Sequence, residues 1–130
     1  MTFAIAPAFN EIDLLSNLES SSESELDGLD FGVIGFDTEG VVRRYNTYES
    51  AAAGLSPSRV VGHSLFTVVA PCMNNYLVAQ RFEDAMETGE MLDVTIDYVL
   101  TLRMRPVRVK LRLLASSAAA HRYVLVLRSS

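Results

Sequence analysis

This chain is short of cations at one end, of cysteine throughout, and of long apolar runs. Residues 1–42 contain no Lys or Arg, and the net charge of the 130 residues is −5. A chain so balanced is a poor binder of nucleic acid, whose phosphates call for a basic face. Cys72 is the single cysteine. It can form no internal disulfide, and one thiolate cannot complete the four-ligand shell of a structural zinc. No apolar run approaches the roughly 20 residues of a membrane span. The opening residues have no basic n-region, so no secretory leader is expected, and a reducing cytoplasm is the expected compartment. His63 and His121 lack a Cys or His companion at ligand spacing, so no metal site is expected. There is also no glycine-rich phosphate loop and no Ser-His-Asp signature.

Apolar residues make up 49% of the chain, enough for one domain with a core that needs neither disulfides nor metals. The N-terminal third is acidic, from Glu11 through Asp27 and Asp30 to Glu39, and every basic residue follows from Arg43 onward. Such a segment is either a solubilising stretch or a cover for a basic face of its own domain.

Periodicity sets out the elements. Phe9, Ile12, Leu15 and Leu18 recur at helical spacing and predict a helix over 6–18. Ser22 or Ser24 is placed to cap a second short helix ending near Gly28. Residues 32–37 read as a strand, 37–40 as a turn, and 41–45 as the returning strand of a hairpin. Asn46 followed by Glu49 is a capping-box pattern for a helix that Gly54 stops. Residues 77–88 form an amphipathic helix whose stripe is Val78, Phe82, Ala85 and Met86, with Gly89 as its stop. Three strands follow, over 92–102, 105–115 and 121–128. In the middle one Arg108, Lys110 and Arg112 alternate with Val107, Val109, Leu111 and Leu113. This order predicts an α+β fold: a five-stranded antiparallel sheet with helices on one face and a helical N-terminal cap on the other. The expected division is an acidic cap over 1–28 and a core over 29–130. The basic row of the middle strand is the expected partner of the cap. Exposed ion pairs contribute only about 0–1 kcal/mol each, so a cap held by them is releasable.

Cys72 is then either an inert buried thiol or a single covalent attachment point. Upstream, Tyr45 and Glu49 put a phenol and a carboxyl on one short segment, the donors that a buried anionic ring would need.

The residues that carry a resemblance are Phe31-Gly32-Val33-Ile34 with Asp37, Tyr45-Asn46 with Glu49, Val60-Val61-Gly62, Leu65-Phe66, Val69-Ala70-Pro71-Cys72, and Met104, Pro106 and Val107 to Leu111. In this order they resemble the photoactive yellow protein family, blue-light receptors with the PAS fold, over about Leu29 to Arg128. The resemblance implies 4-hydroxycinnamic acid (p-coumaric acid) bound covalently as a thioester on Cys72, beside Pro71. Tyr45 and a neutral Glu49 would be donors to its phenolate, and Ala53, Leu55, Tyr98, Leu100 and Met104 would form the pocket. A carboxyl in an apolar pocket beside an anion is kept neutral by desolvation and like-charge repulsion. It implies a non-enzymatic sensor that signals by photoisomerisation, proton transfer from Glu49 and loosening of the cap. Its partners would be a downstream signalling protein of unknown identity and enzymes that activate the chromophore, with no nucleic acid and no membrane.

Several positions depart from the family pattern. Ala53 stands where a Thr is usual and Leu55 where an Arg is common, and Leu100 and Leu102 replace aromatic residues. The pocket is therefore expected to be more aliphatic and its phenolate less assisted. These departures favour an alternative: a PAS-like ligand-binding or interaction module that has lost light sensing. A third reading, Cys72 as an acyl carrier or nucleophile of an enzyme accessory protein, lacks a nearby His to activate the thiol.

Overall fold

A computed structural model of the chain describes residues 7–101 and 106–128. Its centre is one antiparallel sheet built from β1 (Gly32–Phe36), β2 (Val42–Tyr45), β3 (Leu92–Leu100), β4 (Val107–Ala115) and β5 (Arg122–Arg128). The strand order is β2-β1-β5-β4-β3, so the last strand enters the middle, beside the first. Five α-helices accompany it among the described residues: α1 (Leu14–Ser20), α2 (Glu23–Asp27), α3 (Thr47–Ala53), α4 (Pro57–Val60) and α5 (Ala79–Thr88). None is long and apolar enough to cross a membrane.

The period-2 alternation of the strands divides the core. Ile34, Phe36, Leu111, Leu113, Val124 and Val126 face the helical side, where Val60, Val78 and Phe82 cover them. Val33, Leu114, Tyr123 and Leu125 face the other way and are covered by Leu14, Leu18 and Leu26 of the N-terminal segment. Helices on one face and a helical cap on the other is therefore the architecture found.

The cap differs in detail from its sequence pattern. Asp13 sits at φ 60 just before α1, a left-handed conformation that no helix continues through. The helix accordingly starts at Leu14, and the buried stripe is Leu14 and Leu18, while Ile12 is 83% exposed. The second cap helix follows the expectation, with Ser22 as its cap and Gly28 at its end, and Ser22 and Glu25 add both bonds of a capping box.

What holds the cap also differs from the expected row of ion pairs. Lys110 pairs with Asp97 of β3 at 2.7 Å. Arg112 binds Asp93, and its Nη1 donates to the carbonyls of Phe9 and Glu11, each at 2.8 Å. On β2, Arg44 donates to the Leu18 carbonyl at 2.6 Å, to the Tyr123 hydroxyl at 2.7 Å and to the Ser21 carbonyl. Two buried arginines thus grip cap carbonyls. Each fully buried leucine adds up to about 1.5–3 kcal/mol. The cap is a packed layer, and lifting it costs more than a few exposed ion pairs would.

Candidate functional site

Asn46 organises the approach to the site. Its Oδ1 accepts from Val33 N at 2.9 Å and from Glu49 N at 3.1 Å, and its Nδ2 donates to the carbonyls of Leu26 and Phe31, each at 3.0 Å. One side chain therefore ties α2, β1 and the start of α3 together. Only half of the anticipated capping box forms, because the Glu49 carboxylate turns to Arg128. The distances are 2.7 Å (Nη1–Oε1) and 3.1 Å (Nη2–Oε2), the two-pronged geometry that suits guanidinium and carboxylate.

Gly32 makes that position possible. A Cβ built on it would lie 2.0 Å from Glu49 Oε1. Gly35 does the same on the opposite face of β1, where a Cβ would stand 2.9 Å from the Tyr123 ring and 3.0 Å from Arg44 Cβ. Two glycines in a five-residue strand thus open space for one buried arginine partner on each side.

Burial raises the Glu49 carboxyl above the ordinary range, and Arg128 pulls the other way without cancelling it. Tyr45, in the apolar cluster on the same face, is held well above the usual tyrosine range, first by burial and then by the Glu49 charge. It is a hydroxyl donor at any physiological pH.

Cys72 lies on a one-turn 3-10 helix (Pro71–Met73) and is half-buried. The turn is pinned from β3. The Tyr98 hydroxyl donates to the Cys72 carbonyl at 2.6 Å, while Asn75 Nδ2 donates to the Tyr98 oxygen at 2.6 Å and to the same carbonyl at 3.1 Å. Asn75 Oδ1 accepts from the backbone of Leu77 and Val78, so the Cys72 turn and the entry to α5 are fixed by one side chain.

A cavity of about 650 Å³ opens beside the thiol, walled by Ala53, Leu55, Arg59, Val69, Pro71 and Cys72. That is the size range of small-molecule sites. The structure therefore brings Cys72, Pro71, Ala53 and Leu55 to one cavity. It gives Tyr98 the task of holding the cysteine turn, and it places Leu100, 3% exposed, in the core. Tyr45 and Glu49 are buried in the same layer and are absent from the described walls of the cavity. Met104 and Leu102 lie outside the described residues.

Three participants were not foreseen. Arg59 brings a cation to the cavity four residues after Leu55. Asn75 could have been suspected from its place between the cysteine turn and the amphipathic helix. Arg128 had no local signal, because its partner is 79 residues away.

Comparison with known proteins follows the same outline. A model of the PAS fold matches residues 26–129. Photoactive yellow protein of Halochromatium salexigens is 31% identical over 105 residues, spanning 81% of this chain and 83% of that one. The Rhodobacter capsulatus protein of the same name is 31% identical over 104 residues, 80% and 81% of the two chains. Among solved structures, the photoactive yellow protein domain of the sensor histidine kinase Ppr from Rhodospirillum centenum superimposes with a TM-score of 0.80. It is 35% identical and covers 88% of this chain and 99% of that one. The PAS domain of the quorum-sensing receptor RpfR from Cronobacter turicensis, in complex with BDSF, shares the fold at a TM-score of 0.60 and 14% identity, over 78% and 96% of the chains. The chain, with its five-stranded sheet, covering cap and cysteine-bearing turn, belongs to the photoactive yellow protein family and has the PAS fold.

Proposed function

We propose that this chain is a blue-light photoreceptor that carries a 4-hydroxycinnamoyl (p-coumaroyl) group as a thioester on Cys72. The observation that carries the reading is the half-buried Cys72 thiol, on a turn locked by Tyr98 and Asn75, facing a cavity of about 650 Å³. The cavity is large enough for one aryl acid, and its wall is mostly aliphatic. The thiol would receive the acyl group from an activated thioester made by other enzymes, forming the new S–C bond as the carrier thiol leaves.

When bound, this group would supply a visible chromophore whose double bond isomerises in light. The residues do the rest. Cys72 fixes one end of the group, and the Tyr98–Asn75 clamp keeps that anchor still. Tyr45, kept protonated by burial, would be a hydroxyl donor to the phenolate. Glu49 holds a proton on a carboxyl oxygen when its site is dry and gives it up when the charge beside it moves. A carboxylate left buried without its partner is costly, and loosening of the cap relieves that cost. The cap is packed on the sheet by Leu14 and Leu18 and gripped by Arg44 and Arg112. The signal would pass by contact to a downstream protein, without catalysis, in the cytoplasm.

The pairing of Glu49 with Arg128 favours a second reading, in which the chain is a ligand-binding or interaction module of the PAS fold. There Glu49 is a structural anion, and the aliphatic walls at Ala53 and Leu55 receive a non-covalent apolar guest.

One experiment separates the two. The protein is produced with and without p-coumaroyl thioester, and the visible spectrum and intact mass are measured. A coloured protein heavier by one hydroxycinnamoyl group, with colour and mass both lost in Cys72→Ala, is the expected result. A colourless protein of unchanged mass overturns the photoreceptor reading.

A further inference from the structure

Glu49 and Arg128 form the most enclosed ion pair on the helical side of the sheet among the described residues, with side-chain exposures of 1% and 14%. The pair closes over the end of β1. Gly32 is registered opposite Val126 on β5, and Arg128 projects from the same face two residues further on. The missing Cβ of Gly32 leaves the space in which the carboxylate sits. Among the described residues, the other titratable groups facing the pair are both phenols, Tyr45 of β2 and Tyr48 of α3. Arg128 is therefore the single cation that this buried carboxylate meets among the described residues.

We infer that this space is the seat of the deprotonated Glu49 during the light cycle, and that Arg128 is the positioning residue that sets how long the deprotonated state lasts. The inference rests on the function proposed above, in which Glu49 releases a proton. With the group bound, the carboxyl O–H bond would break, the proton would pass to the phenolate oxygen, and the electron pair would stay on Glu49. That leaves an anion in a dry site. A guanidinium already within hydrogen-bonding distance neutralises it without any backbone movement, whereas cap opening requires a packed layer to lift. Arg128 is thus the first relief for the buried charge and the cap the second. In the dark a bound group would compete with Arg128 for one side chain. A carboxyl held by the guanidinium is charged, and one released from it is returned to the neutral form by burial.

Two measurements test this. In the chromophore-free protein, the Glu49 carboxyl is titrated by carbon NMR in the wild type, Arg128→Gln and Arg128→Lys. Arg128→Gln is expected to move the midpoint up by about 1–3 pH units. Arg128→Lys, which keeps the charge without the fork, is expected to fall between. An unchanged midpoint in Arg128→Gln overturns the pairing and with it the inference. In the chromophore-loaded protein, thermal recovery after a flash is followed optically. Arg128→Gln should recover about tenfold faster or more, because the state that stores the carboxylate loses its counter-charge, and Arg128→Lys should restore part of the lifetime. A coloured protein whose recovery is indifferent to residue 128 overturns the inference and leaves the photoreceptor reading intact. A protein that takes up no chromophore overturns that reading, and the proposed place of Arg128 in a light cycle falls with it.

Discussion

Replacing Gly32 with Ala tests the buried pair by geometry alone, without touching either charged residue. The backbone at Gly32 is outside the left-handed region, so the chain itself accepts a Cβ there. The obstacle is Glu49: the new carbon would stand 2.0 Å from Oε1, 3.0 Å from Cδ and 3.2 Å from Cβ of that side chain. The contact with Glu49 Cβ means that rotating the carboxyl end does not clear the clash. The carboxylate must leave Arg128. Breaking a buried ion pair by removing a partner costs about 3–5 kcal/mol. Arg128 is 14% exposed and can turn toward water, which favours the lower end, about 3 kcal/mol. The substitution returns about 0.4–1 kcal/mol by restricting the unfolded chain. The net expectation is a loss of about 2–3 kcal/mol, which moves the urea midpoint of the chromophore-free protein down by about 1–2 M at unchanged slope. The control is the same change in a Glu49→Ala background, where no side chain remains to be displaced. There Gly32→Ala should be neutral or slightly stabilising. A penalty that survives in that background would refute the steric reasoning and place the cost in the β1 backbone.

Acid should loosen the cap before it loosens the sheet. Burial raises the Glu19 carboxyl, but hydrogen bonds from Tyr123 and His121 outweigh it, and the net shift is downward from 4.5. A carboxyl lowered by folding stabilises above its unfolded value and loses that contribution as pH falls through the folded one. Amides of α1 should therefore exchange faster below pH 4.5, and Glu19→Gln should abolish the pH dependence while leaving β4 and β5 protected; equal acid sensitivity in the variant would exclude Glu19 as the cause. Glu49 has the opposite sign. Its raised value means that acid favours its burial and that the cost rises with pH, so it adds nothing to acid release. Tyr98→Phe removes one donor from the Cys72 carbonyl and the acceptor of Asn75. The expected loss is about 1–2 kcal/mol in chemical unfolding, with faster thiol modification at Cys72; an unchanged modification rate would mean that the turn is held by other contacts.

The sequence disclosed whatever depends on neighbours along the chain. Strand alternation from Val107 to Leu113, a serine cap for the second short helix, and the glycine stop after α3 are local, and each was legible. The resemblance around Val69–Cys72 and Tyr45–Glu49 located the candidate attachment point. The helix over 6–18 was misread because the spacing of Phe9 and Ile12 imitates a helix, while Asp13 in a left-handed conformation breaks it. Asp is one of the few non-glycine residues that adopts that conformation, but the apolar spacing around it masked the break.

By itself, then, the sequence determined an α+β sheet protein with a cap, a lone thiol preceded by proline, and a tyrosine and a glutamate near one another. The tertiary structure alone decided who meets whom. Arg112 serves the cap backbone and Asp93, whereas the pattern had aligned it with the acidic residues of the cap. Arg44 became the second clamp, Asn75 the brace of the cysteine turn, and Arg128 the partner of Glu49. The physical reason is that a buried charge must find its counterpart wherever the fold brings one within about 3 Å. The pairing of β1 with β5, with α3 packed beside β1, brings residues 79 positions apart to that distance, with two missing side chains on β1 making the room.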